Sequence, residues 1–211
     1  MIRAVIFDLG GVLIRNPVPG MINFFSRELR VDQDVFRSAY RLHTLEFQRG
    51  MVTEKVFWKR LCSDLERPAP ASHSLWTDGF AAAYRERAGM FRLAVGLRKG
   101  GYRTGILSDT EPPSVRFLLR RDYSMFDVRV FSCSEGITKP DPEIFMTTLR
   151  RIGAKPRESV FIDDRPVNIR GADEAGMKCI LFKSMAQTRE ELSGFFVRVP
   201  VIGAGASEDQ K

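Results

Sequence analysis

The run Ala4-Val5-Ile6-Phe7-Asp8-Leu9-Gly10-Gly11-Val12-Leu13 decides how the rest of the chain is read. Four apolar residues end abruptly in one carboxylate, and a glycine pair follows. An apolar run of that length bounded by a turn reads as a buried strand, with Asp8 at its mouth. In open parallel sheets ligands bind just outside the carboxyl ends of the strands, so a charged side chain there is placed for chemistry. A carboxylate in that position can attack phosphorus and carry the phosphoryl group as an acyl phosphate, which splits one hard hydrolysis into two easier steps. The same pattern also reads as a tight turn whose glycines supply positive φ.

Three later segments bear on that choice. Thr104-Gly105-Ile106-Leu107-Ser108-Asp109 is a second strand pattern, ending in a hydroxyl that can donate to a phosphate oxygen. Gly136-Ile137-Thr138-Lys139-Pro140-Asp141-Pro142 places a lysine just before a helix start, with Asp141 as N-cap and Pro142 at the first helical position. Val160-Phe161-Ile162-Asp163-Asp164-Arg165-Pro166-Val167-Asn168 is a strand that ends in two adjacent carboxylates, with an amide four residues past the second. Neighbouring carboxylates repel unless a cation offsets them. Together, from Ile2 to about Phe182, these segments resemble the haloacid dehalogenase superfamily of aspartyl-nucleophile hydrolases, motifs one to four in order.

The resemblance implies an α/β fold, a three-layer Rossmann-like parallel sheet with an inserted helical bundle cap. It implies Asp8 as nucleophile, Ser108 as the hydroxyl that orients phosphate, Lys139 as the cation that neutralises it and Asp164 as a metal carboxylate, with Asp163 and Asn168 flanking the metal. Magnesium prefers six hard oxygens and is commonly held by one or two carboxylates, waters and substrate phosphate. Asp8 and Asp164 supply the carboxylates, and the Gly10 carbonyl can supply a third ligand. Without the metal and Lys139 the attacking carboxylate and a phosphate dianion would repel each other.

The chain departs from the family pattern at two positions. Most phosphatases of the superfamily carry a second aspartate two residues after the nucleophile, which protonates the leaving oxygen and then activates water; here that residue is Gly10. Positioned proton transfer is typically worth about a hundred- to ten-thousand-fold, so the resemblance predicts a marked preference for aryl phosphates, whose leaving groups need no proton. The second departure is Asp109, where relatives commonly carry asparagine; a substrate-facing anion there would repel phosphate unless turned away or paired. The Asp-Leu-Gly triplet and Glu46-Phe47-Gln48-Arg49-Gly50-Met51-Val52-Thr53 resemble a subgroup that includes bacterial sugar-phosphate phosphatases and the N-terminal domain of soluble epoxide hydrolases.

The 211 residues accommodate one core, residues 1–16 and 89–200, with an insertion at 17–88. Apolar strands alternate with amphipathic helices, the pattern of a parallel sheet covered on both faces. Between the first two motifs only helices are predicted: Met21 to Arg30, Gln33 to Arg49, Glu54 to Leu65 and Ser74 to Arg87. The aromatic residues Phe24, Phe36, Tyr40, Phe47, Phe57 and Trp58 fall near helical spacing and read as bundle core. In the resembled family such a cap closes on substrate, which makes Arg49 the candidate substrate contact from a cap loop. His43 and His73 are candidates for the missing acid. A further helix is predicted from Thr188 to Phe195, a strand or packed segment from Val197 to Ile202, and a disordered tail over 203–211.

Three widely spaced cysteines with no Cys-x-x-Cys pair argue against zinc and against a disulfide framework. The net charge of +7 is spread over scattered arginines rather than one basic block, which argues against nucleic acid as partner. No run of about 18 apolar residues and no leader pattern is present, so the expectation is a cytoplasmic chain without a membrane partner, monomeric or homodimeric. The function expected is Mg2+-dependent hydrolysis of a small phosphorylated metabolite, a sugar phosphate being one such compound, through an aspartyl-phosphate. The alternatives are 2-haloacid dehalogenation, which needs no metal and so leaves the Asp163-Asp164 pair unexplained, and a non-catalytic binding module of the same fold.

Overall fold

The computed structural model describes residues 1–71 and 74–199. In chain order its elements are β1 (Ala4–Phe7), α1 (Val18–Glu28), α2 (Gln33–Gln48), α3 (Glu54–Asp64), α4 (Leu75–Ala83), α5 (Ala88–Lys99), β2 (Arg103–Ser108), α6 (Pro112–Leu118), β3 (Val128–Phe131), α7 (Ser132–Glu135), α8 (Pro142–Ile152), β4 (Ser159–Asp163), α9 (Pro166–Glu174), β5 (Lys178–Leu181) and α10 (Met185–Gly194). The five strands form one sheet in the order β3-β2-β1-β4-β5, parallel at every pairing.

β1 is buried along its whole length because helices cover both faces. The alternation of its side chains divides them between two cores. Val5 and Phe7 join the core that includes α5 and the helical insertion, while Ala4 and Ile6 pack with Ile144, Phe145 and Ala172 of α8 and α9. The chain leaves β1 toward β2 on one side and pairs with β4 on the other, so β1 lies where the strand order reverses. That reversal opens a crevice at its carboxyl end.

The helical insertion matches the expected bundle in number and order of helices, with α2 and α3 opened by the side-chain caps of Asp32 and Thr53. One end differs from expectation. α4 stops at Ala83 rather than running to Arg87, because Tyr84 is extended and residues 84–87 turn back along 13–15, with Arg15 N donating to Arg85 O and Arg87 N to Leu13 O. Those bonds join the two connections into and out of the insertion. The bundle core is aromatic as expected: Phe25, Tyr40, Phe47, Phe57 and Trp58 surround Trp76, and Phe36 packs on Phe25 and Tyr40. Phe24 is only partly buried. Trp76 also reaches out of the bundle, where its Nε1 donates to Ser114 Oγ of α6 at 2.8 Å.

The predicted helix near residue 188 is α10, entered through a capping box made by Ser184 and Gln187. Residues 197–199 are irregular, and the remainder of the predicted strand and tail lies outside the described residues. All three cysteines are free. No helix among the described residues is long and apolar enough to cross a membrane.

Candidate active site

Asp8 is the first residue past β1. Its backbone N–H donates to Ile162 O of β4 at 2.8 Å, which holds it at the strand mouth. Register places Phe7 opposite both Ile106 and Ile162, so Asp8 falls beside the strand ends that carry Ser108 and Asp163. Lys139 arrives from the loop before α8, where Asp141 caps the helix through Glu143 N and Pro142 occupies its first turn, as the sequence predicts. The Lys139 ammonium donates to Asp8 Oδ1 at 2.6 Å, to Asp163 Oδ2 at 2.7 Å and to Leu107 O at 3.4 Å. Three acceptors match its three protons.

Asp163 is fully buried, and its Oδ1 also accepts the Arg165 N–H at 2.8 Å and the Asn168 Nδ2 at 3.0 Å. It therefore acts as an anchor for Lys139 and Asn168. Asp164 turns the other way, toward the glycine pair. Gly11 has φ +103, and a Cβ built there would stand 2.1 Å from Asp164 Oδ2, so only glycine lets that carboxylate approach. Ser108 Oγ lies 2.5 Å from Thr110 Oγ1, both buried at the end of β2.

Asp109 is paired rather than free: its Oδ1 accepts the backbone N–H of Lys139 at 3.0 Å, which ties the lysine loop to β2. Arg49 caps the end of α2 and is not among the residues lining the cavity; its neighbour Gln48 is. The reason is Gly50, whose φ of +66 turns the chain tightly onto Cys133 O, where a Cβ would come within 2.2 Å. His43 is likewise displaced from its expected role, since Nε2 lies 2.6 Å from Asp64 Oδ2 within the insertion and away from the cavity. His73 lies outside the described residues.

The site is electrostatically unbalanced. Asp8, Asp109, Asp163 and Asp164 gather around the ammonium of Lys139, with Arg165 in the cavity wall as a second cation acting on Asp109 and Asp164. Burial pushes the Asp8 carboxyl up to about 7 against the pull of Lys139, with Asp163 adding to the rise. Burial and then Asp163 raise Asp164 as well. Burial alone would lower the lysine, but Asp8, Asp163 and Asp109 more than offset it and hold the ammonium above its ordinary range.

The donor set fits a hard divalent cation. Carboxylate oxygens of Asp8, Asp163 and Asp164 lie within 4.8 Å of one another, close to the ~4.2 Å that separates opposite oxygens around magnesium. Asp164 Oδ1 and Asn168 Oδ1 are buried acceptors without a hydrogen-bond partner, the condition an oxygen ligand is left in when its ion is removed. Asp8 and Asp164 open on a cavity of about 370 Å³ between the strand ends and the insertion, lined also by Gly10, Ser108, Lys139 and Asn168. Sequence reasoning missed Tyr40, Gln48 and Glu111 in its wall. For Glu111 a signal existed, namely a carboxylate three residues past Ser108 in the same strand-end loop.

This is the strand-end carboxylate site of an α/β hydrolase. A haloacid dehalogenase-like hydrolase family model matches residues 2–176, and the chain belongs to that family. Among curated proteins it is 34% identical over 205 residues to a glyceraldehyde 3-phosphate phosphatase of Pyrococcus abyssi, covering 87% of this chain and 82% of that protein. It is 31% identical to mouse acyl-CoA dehydrogenase family member 10 and 26% identical to rat bifunctional epoxide hydrolase 2, over 84% and 90% of this chain. The chain spans only 18% and 38% of those two proteins. Among solved structures, an HAD family enzyme of Bacteroides thetaiotaomicron in complex with magnesium and inorganic phosphate superposes with a TM-score of 0.74 at 23% identity, covering 87% of this chain and 95% of that one. An L-2-haloacid dehalogenase of Xanthobacter autotrophicus shares the fold at a TM-score of 0.63 and 19% identity, over 93% of this chain and 84% of that one.

Proposed function

We propose that the chain is a magnesium-dependent phosphomonoester hydrolase acting on a small phosphorylated metabolite. The observation that carries this reading is the pair of tasks given to the strand-end carboxylates. Lys139 binds both Asp8 and Asp163, but Asp163 is buried behind it with Asn168, while Asp8 and Asp164 line a cavity whose carboxylates outnumber its cations, Lys139 and Arg165. Chemistry at carbon, as in haloacid dehalogenation, has no use for that excess, whereas a phosphoryl group brought in with a divalent cation neutralises it.

In this reading Asp8, Asp164 and the Gly10 carbonyl hold the ion, and Asn168 and Asp163 support it. Bound magnesium supplies positive charge at the phosphoryl oxygens. Lys139 favours the ionised form of Asp8 through their hydrogen bond and would neutralise phosphate charge. Ser108 donates to a phosphoryl oxygen. Asp8 attacks phosphorus, the bond to the leaving oxygen breaks, and an aspartyl-phosphate forms; water then releases phosphate and restores Asp8. The insertion at 17–88 serves as the cap that covers the reacting group and excludes bulk water. The phosphatase name of the Pyrococcus relative, matched along most of both chains, supports phosphorus as the atom attacked.

The test is phosphate release from a panel of phosphorylated metabolites with magnesium and with a chelator, alongside 2-chloropropionate as a dehalogenase probe. The expected result is magnesium-dependent phosphate release that Asp8→Asn abolishes in a folded variant. Chloride release, or no turnover of any compound, would refute the reading in favour of a dehalogenase or of a binding module.

A further inference from the structure

Gly10 leaves the site without the acid that the family usually places there. The cavity wall contains four carboxylates, Asp8, Asp109, Glu111 and Asp164. Asp8 is committed to Lys139, Asp109 to the Lys139 backbone, and Asp164 to the ion site. No histidine lines the cavity among the described residues. Glu111 remains. It sits three residues past Ser108, only 6% exposed, where the loop after β2 meets α2 of the insertion. Its Oε1 accepts Gln48 Nε2 at 2.9 Å, and its Oε2 has only a long contact, 3.4 Å, from Ser114 Oγ. Gln48 in turn is held in place by its carbonyl, which accepts Ser132 Oγ at 2.7 Å, and Ser132 Oγ accepts Thr110 N. One carboxylate oxygen is thus oriented by Gln48, and both residues line the same cavity as Asp8, Ser108 and Lys139.

We infer that Glu111 is the catalytic acid and base that replaces the missing aspartate at position 10. The inference rests on the phosphatase reading. Glu111 starts protonated. As Asp8 Oδ bonds to phosphorus and the P–O bond to the alcohol breaks, the alkoxide takes the Glu111 proton and leaves as a neutral alcohol. In the second step the Glu111 carboxylate takes a proton from the attacking water, the Asp8–phosphorus bond breaks, and phosphate departs with Asp8 ionised and Glu111 protonated again. The group is suited to both roles: burial, opposed by its hydrogen bond from Gln48 and assisted by the charge of Asp109, pushes its carboxyl up to about 7. The other titratable neighbours, Tyr40 of α2 and Cys133 of α7, are both pushed above their ordinary values by burial first and by Glu111 in addition, so both stay neutral near pH 7.

Glu111→Gln keeps the acceptor for Gln48 and removes the proton. The experiment compares kcat/KM for p-nitrophenyl phosphate, whose leaving group needs no proton, with benzyl phosphate, whose alkoxide does. In the wild type, benzyl phosphate turnover should fall above about pH 7. In Glu111→Gln the benzyl-to-nitrophenyl ratio should drop at least about a hundredfold and that alkaline limb should vanish. Gly10→Asp added to Glu111→Gln should recover most of the ratio. Gln48→Leu removes the hydrogen bond that orients Glu111 and holds its carboxyl down, so the alkaline limb for benzyl phosphate should persist but move to higher pH. Equal loss on both substrates, no loss on either, or an alkaline limb that stays in Glu111→Gln or does not move in Gln48→Leu would overturn the assignment. If the wild type turns over neither phosphate, the phosphatase reading itself fails; if it turns over only the aryl ester, phosphatase stands and Glu111 is refuted.

Discussion

Replacing Lys139 with methionine keeps most of the side-chain volume and removes a single charge. The wild-type ammonium, its side chain 2% exposed, lies 2.6 Å from Asp8 and 2.7 Å from Asp163, whose side chains are 8% and 0% exposed. Removing one member of a buried ion pair costs about 3–5 kcal/mol, because the partner is left charged and dry. For a domain of this size that corresponds to a melting temperature lower by about 6–20 °C. The penalty carries a pH signature. Without the lysine, Asp8, which burial already pushes up to about 7, holds a proton in the folded state that the unfolded chain, with ordinary carboxylates, releases above about pH 4. The folded variant then binds more protons than its unfolded chain, so its stability falls as pH rises and its gap to wild type widens from pH 5 to pH 8. Urea unfolding of both proteins in chelator across that range measures the gap. Adding Asp8→Asn to Lys139→Met should cost less than the sum of the two single changes by about 0.5–3 kcal/mol, since it removes one of the stranded charges. A gap under about 1 kcal/mol that does not move with pH would show that Lys139 is not the counter-ion of these carboxylates and would remove the electrostatic basis of the site.

Three other outcomes follow from the geometry. Gly11→Ala forces a side chain at φ +103 into Asp164 Oδ2; it should destabilise by about 1–3 kcal/mol and weaken magnesium binding measured by calorimetry. Gly10→Asp should be tolerated, because a Cβ there meets only Pro17 Cδ at 3.3 Å, and thermal melts should place it near wild type; in a chain with intact Glu111 it should change benzyl phosphate turnover little. Glu111, raised from 4.5 to about 7, keeps a proton when folded that it loses when unfolded, so its contribution to stability is fully present below pH 4.5 and lost as pH rises through 7. Relative to Glu111→Gln the wild type should therefore lose about 3 kcal/mol over that interval in chelator, read from paired denaturation curves.

The expected preference for aryl phosphates came from reading Gly10 alone, and the cavity supplies a reason to revise it. Glu111 lies 101 positions away from Gly10 in the chain, and its one local signal, a place three residues past Ser108, competes with the reading of a helix start before Pro112 and Pro113. It becomes a site residue only because α2 lays Gln48 across it. Arg49 failed for the complementary reason: an adjacent arginine and glycine read as an exposed loop tip, whereas Gly50 folds that turn against Cys133 and gives the cavity the preceding residue. The helix expected to reach Arg87 ended at Ala83 because pairing between the two connecting segments outweighed helical continuation.

The family resemblance grouped Asp8, Lys139, Asp163 and Asp164, while β1, β2 and β4, the alternation of β and α units and the helix start at Asp141-Pro142 were written in the sequence itself. Each depends on a local rule: an apolar run that must be buried, a cap that must satisfy free amides, a carboxylate that must sit at a strand mouth. Which carboxylate would bind the lysine, which would face the cavity and which would meet the insertion was decided by tertiary structure. Those assignments depend on distances between segments far apart in the chain, and on burial, which exists only once the insertion and the sheet have closed around the same space.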